Sequence, residues 1–377
     1  MPRRLILILG LVGLQALALV VVLGITYWAS QGVLLRFAEG LTARIARDTT
    51  AYTENFLDPA EDAAQLSQRL LEAGVVPHDD AEALGRYLFD VLQTRDSFDG
   101  AYFGAASGDF VYVSRDTTEP RANFRVKTIE TGPDREVVLS WRSERFREVA
   151  AQDEPDDDYD PRNRPWYRAA LDANAVSWTS PYIFFSSQRP GVTVSMPVAD
   201  PLSGGVLGAV GVDIGIESLS TFLGGLEISA NGSAAIVAET GDIVAHSEED
   251  FVAEADPDGT VRFNTVDGAV DPLLMQAAAS ISGGLGDLFP GEIRVSHFRA
   301  DGQAWLAAVQ RLRLEATPWT VVTWLPESDI LEPLHQVRTI AVWVTLAALA
   351  ATALLGLFYG RILMRPDQGQ GADTRQT

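Results

Sequence analysis

The residues best suited to bind a small charged molecule are concentrated in residues 158–214, which include the run DYDPRNRPWY. Arg164 directly precedes Pro165, and proline favours the first turn of a helix. A helix N-terminus presents free N–H groups and a partial positive charge, so a guanidinium at that position makes a seat for a carboxylate. Trp166 adds an indole N–H and an apolar wall. The pattern therefore predicts that this segment binds an anionic group.

An acidic residue further along the chain provides the opposite charge. In the run GVLGAVGVDI, two-residue alternation places Asp213 on the same strand face as Ala209 and Gly211. Such a face leaves room for a ligand, and a buried carboxylate is costly unless it meets a cation. Arg164 and Asp213 would then hold the two ends of a zwitterion. From the residues alone, the alternative stays open that these two side chains pair with each other and that the aromatic residues are ordinary core.

The candidate ligand site combines the two charged groups with aromatic residues that supply hydroxyls and ring faces. Its six residues are Tyr159, Arg164, Trp166, Tyr167, Tyr182 and Asp213. We expect the other wall of the pocket to come from a hairpin at residues 100–115 and from residues 184–193, with Tyr102, Phe103 and Ser186 as further candidates. The side chain of the ligand would be recognised at that wall.

The composition and the motifs argue against several other chemistries. The chain has no cysteine, which excludes disulfides, thiol catalysis and thiolate metal sites. No GxxxxGK[ST], GxSxG, HExxH or CxxC motif occurs, so we predict no catalytic residue, no metal site and no cofactor. The acidic run at 154–160 lacks the spacing of an EF-hand loop and is more typical of a solvated loop.

Two uncharged stretches, residues 5–28 and 339–360, are long enough to cross a bilayer, which takes about 20 apolar residues in a helix. The first is too long for a cleaved signal peptide, and Tyr27 and Trp28 occupy the place where small residues would be required. Arginines lie just before the first stretch and just after the second, and positive flanks favour the cytoplasm. The sequence therefore predicts a bacterial inner-membrane protein whose residues 29–338 are extracytoplasmic.

The chain is strongly acidic, with a formal net charge of −22, and residues 29–338 carry about −25. This charge argues against nucleic acid and against an anionic lipid surface as partners. The same charge favours solubility of the part between the two apolar stretches.

Periodicity predicts an α+β organisation in two lobes. Residues 29–75 follow a helical apolar period, which we expect to be interrupted at Asp58-Pro59. A hairpin at 100–115, a helix at 165–173 and a strand over SPYIFFSS follow, in the order of a PAS-like fold, and a hairpin at 233–247 starts the pattern again. The predicted divisions are a cytoplasmic N-terminus (1–4), a transmembrane helix (5–28), a juxtamembrane helical region (29–75), a membrane-distal lobe (76–225), a membrane-proximal lobe (226–336), a second transmembrane helix (339–360) and a cytoplasmic tail (361–377).

The run DYDPRNRPWYRAALDANAVSWTSPYIFF, followed by GVLGAVGVDI, resembles the double Cache (dCache) sensor domains of bacterial chemoreceptors, histidine kinases and membrane nucleotide cyclases. The resemblance covers essentially the whole span between the apolar stretches and implies two tandem PAS-like lobes. In the amino-acid-binding members, the motif positions match the six candidate residues. The resemblance implies that Arg164 and Trp166 hold the ligand carboxylate and that Asp213, with Tyr167 or Tyr182, holds the ammonium. The segment RPWY alone is less specific, because Cache domains with other ligands carry it.

We therefore expect a homodimeric, non-enzymatic, membrane-anchored sensor that binds a small amino-acid-like ligand in its distal lobe. Members of the family usually continue past the second helix into an output domain, whereas only RILMRPDQGQGADTRQT follows here. The signal would then pass to a separate partner, unless the chain is a truncated gene product. The alternatives are a Cache sensor for an amine or a carboxylate, a ligand-free membrane scaffold and an extracytoplasmic hydrolase, whose triad would be assembled only in space.

Overall fold

The computed structural model describes residues 3–255, 260–268, 271–314 and 319–363. The chain divides into two compact units, Met1–Gly40 with Glu327–Thr377, and Leu41–Pro326. The first unit contains the beginning of helix α1 (Arg3–Glu72) and helix α6 (Glu327–Leu363). Within the described residues, no helix has both the length and the apolar character that a membrane span requires. Of the predicted tail, residues 364–377 lie outside the described part of the chain.

The second unit begins with the rest of α1 and a nine-stranded antiparallel sheet. Helices α2 (Ala81–Gln93), α3 (Pro165–Ala173) and α4 (Ile216–Gly224) accompany this sheet. Its strands are β1 (Gly100–Ala105), β2 (Phe110–Arg115), β3 (Phe124–Glu130), β4 (Glu136–Arg142), β5 (Glu148–Asp153), β6 (Ser177–Trp178), β7 (Tyr182–Ile183), β8 (Pro190–Ala199) and β9 (Val206–Gly215). The strand order is β5-β4-β3-β2-β1-β9-β8-β6, and β7 pairs with β8. Strand β9 therefore lies in the middle of the sheet, next to β1, although the two are far apart in sequence.

A smaller sheet forms the second lobe of the same unit. Its elements are β10 (Ser233–Ala238), β11 (Ile243–His246), β12 (Ala253–Ala255), β13 (Val261–Phe263), α5 (Pro272–Ser280), β14 (Ile293–Ala300), β15 (Gln303–Arg311) and β16 (Trp319–Pro326). Five strands pair in the order β11-β10-β16-β15-β14, and β12 pairs with β13 separately. Every residue of the central strand β16 is buried, as expected for a continuous apolar run in the middle of a sheet.

The second half of α1 packs against one face of the nine-stranded sheet. Leu57, Ala60 and Ala64 of the helix are fully buried in the same apolar cluster as Val194 of β8 and Val212 of β9. Because side chains alternate along a strand, the residues next to these valines point to the opposite face of the sheet. That opposite face carries the candidate site.

The prediction that the first helix is interrupted at Asp58-Pro59 is wrong, because α1 runs through Pro59 without a break. A proline inside a helix removes one hydrogen bond and costs about 3 kcal/mol. Its neighbours Leu57 and Ala60 are both fully buried, so the packing of this turn on the sheet offsets the local preference. Tertiary contacts thus override a strong helix-breaking signal.

Other predicted elements agree with the structure to different degrees. The helix at 165–173 and the hairpins within 100–115 and 233–247 are confirmed. The strand predicted over SPYIFFSS is too long, since β7 holds only two residues and a turn follows in which Phe184 N donates to Arg189 O at 2.9 Å. The patterns also missed α2, β3, β5 and β14. Strand β5 lies at the sheet edge with almost every side chain exposed, so it has no apolar alternation to detect.

Candidate ligand-binding site

Helix α3 and the turn after β7 cover the face of the nine-stranded sheet opposite to α1. Together with β1, β2 and β9 they surround a cavity of about 30 Å³. The lining residues are Tyr102, Phe110, Tyr112, Tyr159, Arg164, Trp166, Tyr182, Ile183, Phe184, Phe185, Ser186 and Asp213. The site therefore consists of one carboxylate, one guanidinium and a wall composed mainly of aromatic rings.

Asp213 supplies the negative charge of the cavity and is only 3% exposed. Its Oδ1 accepts hydrogen bonds from Tyr102 Oη and Thr193 Oγ1, both at 2.6 Å. Within the described part of the chain, Oδ2 accepts no hydrogen bond and no Lys, Arg or His forms an ion pair with this carboxylate. Burial raises the pKa of Asp213 to about 7, although the two hydroxyl donors act in the opposite direction. The alternative in which Asp213 pairs with Arg164 is therefore not what the structure contains.

Thr193 connects the hydroxyl groups around this carboxylate. It lies directly opposite Asp213 in the pairing of β8 with β9. Its Oγ1 lies 2.7 Å from Tyr182 Oη and 3.1 Å from Tyr102 Oη. Burial raises the pKa of Tyr102 and of Tyr182 well above the ordinary range, so both phenols keep their protons at neutral pH. Tyr102 and Thr193 therefore donate to the same carboxylate oxygen, and Tyr182 is connected to it through Thr193.

Arg164 supplies the positive charge and lies at the N-terminus of α3, as the proline signal predicted. The carbon of its guanidinium is 4.6 Å from the ring centroid of Tyr159 and 4.3 Å from that of Phe185. Its Nε is buried and has no hydrogen-bond partner among the described residues. An unpartnered buried donor costs about 1–3 kcal/mol, so an acceptor placed beside this nitrogen would be bound favourably.

The position of α3 is fixed by hydrogen bonds at its first turn. Asp160 Oδ1 accepts from Arg162 N at 3.0 Å and begins the short 3-10 helix Pro161–Asn163 that leads into α3. Ser195 Oγ of β8 donates to Trp166 O at 2.8 Å. Trp166 itself is 1% exposed, and its indole N–H donates to Tyr159 Oη at 3.4 Å. This long bond is one that a better acceptor could replace.

Lys127, the only lysine of the chain, is a neighbour of the site that the sequence patterns did not predict. It is 2% exposed and forms an ion pair with Asp157. Its Nζ lies 4.7 Å from the ring centroid of Tyr159 and 5.2 Å from that of Phe185, the two rings that Arg164 also contacts. Burial lowers the pKa of Lys127, which the ion pair partly offsets. The same two rings therefore contact two cations.

Glycines in β1 and β9 make room for the tyrosine rings of the cavity. A Cβ on Gly211 would lie 2.2 Å from Tyr102 Cε2, and a Cβ on Gly100 would lie 2.5 Å from Tyr112 Cε2. The small-residue face of β9 was expected to leave room for a ligand. Near Gly211 that space is occupied by the ring of Tyr102, so the expectation of free space is wrong at this position.

The structure brings together most of the residues proposed from the sequence. Of the six-residue set, Tyr159, Arg164, Trp166, Tyr182 and Asp213 line the cavity, as do Tyr102 and Ser186 of the further candidates. Two proposed residues, Tyr167 and Phe103, are not among its lining residues. Tyr167 packs edge-on against Trp166 at 5.4 Å. Phe103 belongs to the apolar cluster under α1, because consecutive residues of a strand point to opposite faces.

Four further lining residues lie within the two segments predicted for the other wall, 100–115 and 184–193, but the sequence did not single them out. Tyr112 pairs directly with Tyr102 across the β1–β2 hairpin, and Phe110 lies two residues before it on the same face. The alternation in the predicted hairpin could have identified both. Phe184 and Phe185 lie in the turn after β7, where no periodicity applies.

The cavity is small in this conformation. A water molecule needs about 10–15 Å³ of such space, and a cavity of about 150 Å³ accommodates benzene. At about 30 Å³ the site has room for one or two waters, and a ligand of six or more heavy atoms requires the walls to move apart. Most walls are regular strands or a helix, whereas Phe184, Phe185 and Ser186 lie in the turn.

The fold defines a two-lobed mixed α/β domain that begins with a long N-terminal helix. The family model of the Cache domain, dCache_1, matches residues 34–334. Since this match covers well over half of the chain, the protein belongs to the double Cache family.

Comparisons with individual proteins give more distant matches. Methyl-accepting chemotaxis protein PscA of Pseudomonas syringae is 35% identical over 112 residues, which are 29% of this chain and 18% of the relative. Methyl-accepting chemotaxis protein PctB of Pseudomonas aeruginosa is 32% identical over 98 residues, 26% of this chain and 15% of the relative. The solved ligand-binding domain of PctB, in complex with L-Arg, is 17% identical with a TM-score of 0.47 and covers 76% of this chain and 94% of that domain. The matched regions thus span less than a fifth of the length of these two curated relatives.

Proposed function

We propose that this protein is a membrane-anchored extracytoplasmic sensor that binds a small amino-acid-like ligand in the cavity of its N-terminal lobe. One observation carries the proposal. The same cavity is lined by a buried carboxylate whose Oδ2 accepts no described hydrogen bond and by a guanidinium whose buried Nε has no described partner. A zwitterion would provide both partners at once, an ammonium for Asp213 and a carboxylate for Arg164.

The roles of the residues follow from their chemistry. Arg164 Nε and the indole N–H of Trp166 would donate to the ligand carboxylate, with the long Trp166–Tyr159 bond exchanged for a stronger, charge-assisted one. Asp213 would accept from the ligand ammonium through Oδ2. Of the two tyrosines expected to assist, Tyr182 is favoured over Tyr167, because only Tyr182 lines the cavity and its hydroxyl belongs to the network around Asp213.

Ligand entry would move the turn after β7. This turn provides Phe184, Phe185 and Ser186 to the cavity, and its backbone is not paired in the sheet. The requirement to open lowers the apparent affinity by the fraction of molecules in the open form. A ligand shifts the balance between closed and open forms only by its different affinity for the two.

The membrane anchoring and the signalling belong to the same proposal. Residues 5–28 and 339–360 would span the membrane, supported by their length and lack of charge in the sequence. A homodimer would place two copies of the sensor side by side, and an output partner would receive the signal. Within residues 41–326, Asp213 lies three residues before α4, whose Phe222 stacks on Phe56 of α1 at 4.5 Å. This contact offers a physical connection from the cavity to the long helix.

An amine sensor is the second candidate, because aromatic rings and a buried carboxylate without a described ion-pair partner also suit a cation that lacks a carboxylate. The two candidates differ in their need for Arg164. A thermal-shift screen of the purified full chain with amino acids, amines and carboxylates separates them. A ligand at about 100 times its Kd stabilises the protein by roughly 2.7 kcal/mol. If amines or carboxylates raise the melting temperature and no amino acid does, the zwitterion proposal is wrong.

The remaining alternatives have their own tests. A ligand-free scaffold would show no thermal shift with any small molecule and would retain a protein partner through purification irrespective of added ligand. A hydrolase would convert candidate esters or amides to products that chromatography detects. Either result, obtained with the full chain, would replace the sensor proposal.

A further inference from the structure

A second, larger cavity adjoins the candidate ligand site and shares two wall residues with it. Tyr112 and Ser186 line both cavities. The second cavity has a volume of about 410 Å³, enough for a ligand side chain to extend into it. Because it contains Arg115, Arg125 and Arg189, we name it the arginine cavity. It also contains Asp99, Ser114, Asp116, Thr117, Thr118 and Ser187.

The arginines of this cavity outnumber its aspartates by three to two among the described lining residues. Asp116 is already paired with Arg125, at 3.2 Å between Oδ2 and Nη1, and its Oδ1 accepts from the backbone and side chain of Thr118. Burial raises the pKa of Asp99, and the nearby charges of Arg189 and Arg115 act in the opposite direction. Arg115 donates to the carbonyl oxygens of Phe98, Leu92 and Arg95 at 2.9–3.0 Å. Arg115 and Arg189 also form ion pairs with exposed carboxylates outside the lining, Asp96 at 3.7 Å and Glu217 at 3.9 Å. The three arginines are thus paired with carboxylates, and what distinguishes the cavity is its number of hydrogen-bond donors.

Arg125 is the arginine placed where the two cavities meet. Its Nη2 donates to the carbonyl oxygen of the shared residue Ser186 at 3.2 Å. Its Nε is buried and has no hydrogen-bond partner among the described residues. An acceptor oxygen that reached this boundary would therefore find a donor whose hydrogen-bonding capacity is not yet used.

We propose that the arginine cavity receives the side chain of the bound amino acid, and that Arg125 selects side chains ending in an acceptor oxygen. This inference rests on the proposed function and adds the substrate class. Amino acids with a carboxylate or amide end, such as aspartate or asparagine, bind in preference to aliphatic ones. Lysine and arginine are disfavoured because their side chains end in donors, which cannot accept a hydrogen bond from Arg125 Nε.

The test uses calorimetric titration of the purified full chain with L-asparagine and L-leucine, which have the same branched shape, and with L-aspartate and L-lysine. A hydrogen bond to a charged group corresponds to about a tenfold or larger difference in Kd. We expect asparagine and aspartate to bind at least about tenfold more tightly than leucine or lysine. Arg125→Gln should reduce this difference to about threefold or less, whereas Arg147→Gln, at an exposed arginine away from both cavities, should retain it.

A second variant keeps the test decisive if Arg125→Gln disturbs the turn at Ser186. Ser187 is exposed and lines the arginine cavity, so Ser187→Glu adds a negative charge without removing a buried contact. It should weaken aspartate binding several-fold and leave leucine binding unchanged. Leucine binding as tightly as asparagine and aspartate in the unmodified chain would overturn the selectivity claim, as would equal losses for all ligands in both variants. If no α-amino acid binds at all, the proposed function itself fails.

Discussion

Replacing Asp213 by asparagine tests the central feature of the site, a buried carboxylate that forms no ion pair with the described residues. Asparagine has nearly the same shape, and its Oδ1 can still accept from Tyr102 and Thr193, which donate to Asp213 Oδ1 at 2.6 Å. The substitution therefore removes the ionisable group while keeping the packing. We expect the variant to fold and to lose binding of any ligand that requires an anionic partner.

The expected effect on stability depends on pH, and its sign follows from proton linkage. The pKa of Asp213 is about 7 in the folded protein, against the ordinary value of 3.8 for an exposed aspartate. Between these values the folded state keeps a proton that the unfolded state has lost, so the free energy of unfolding falls as pH rises through this range. From pH 5 to pH 8 the loss from this one group is roughly 2.5 kcal/mol. Asp213→Asn does not show this decrease, because asparagine has no ionisable side chain.

Urea unfolding of both proteins at pH 5 and pH 8 measures the effect. The free energy of unfolding of the variant, relative to the unmodified chain, should increase by roughly 2.5 kcal/mol from pH 5 to pH 8. Asp153→Asn is the matched control, because Asp153 is exposed at the end of β5, and its relative stability should be the same at both pH values. If Asp213→Asn behaves like the control, burial does not hold a proton on this carboxylate. A variant that unfolds at both pH values would point to an internal ion pair instead.

Four further outcomes follow from the same geometry. Binding of an ammonium ligand should strengthen about tenfold from pH 6 to pH 8, measured by calorimetry, because Asp213 must be ionised and its pKa is about 7; a flat profile would contradict this. Arg164→Gln should weaken the binding of amino acids about tenfold or more and leave the binding of simple amines unchanged. Equal losses of affinity for both classes would mean that Arg164 has a structural role only. Tyr102→Phe removes a donor to the buried carboxylate and should lower the free energy of unfolding by about 1.5–3 kcal/mol at pH 8 and by less at pH 5, where Asp213 is protonated. Gly211→Ala places a Cβ 2.2 Å from the Tyr102 ring and should lower the free energy of unfolding by about 1–3 kcal/mol, measured with urea. An unchanged free energy of unfolding would mean that the ring moves freely.

Local signals predicted the parts of the site that lie within one element. Pro165 after Arg164 is sufficient to place a guanidinium at a helix N-terminus, and the structure has that arrangement. Two-residue alternation placed Asp213 on the strand face opposite to the apolar valines, which is also observed. The same rule, applied to β1, places Phe103 on the face opposite to Tyr102, as the structure shows.

Long-range packing decided what those local signals could not. The continuity of α1 through Pro59 depends on the burial of its neighbours against the sheet. The role of Thr193 as a donor to Asp213 depends on the register between β8 and β9, which no local pattern specifies. The space beside Gly211 is filled by a ring from β1, a strand about a hundred residues earlier in the chain.

The sequence by itself determined the family, the α+β character, the helix that begins at Pro165 and the charged residues of the site, because these depend on residue type and on spacing within one element. Only the tertiary structure decided that Asp213 is buried with no described cation beside it, that Arg164 contacts the rings of Tyr159 and Phe185, and that the arginine cavity adjoins the site. The physical reason is that burial, and with it the pKa of a carboxylate, depends on side chains brought together from distant strands. Residue type sets which charges are available, and packing sets which of them are left without a partner.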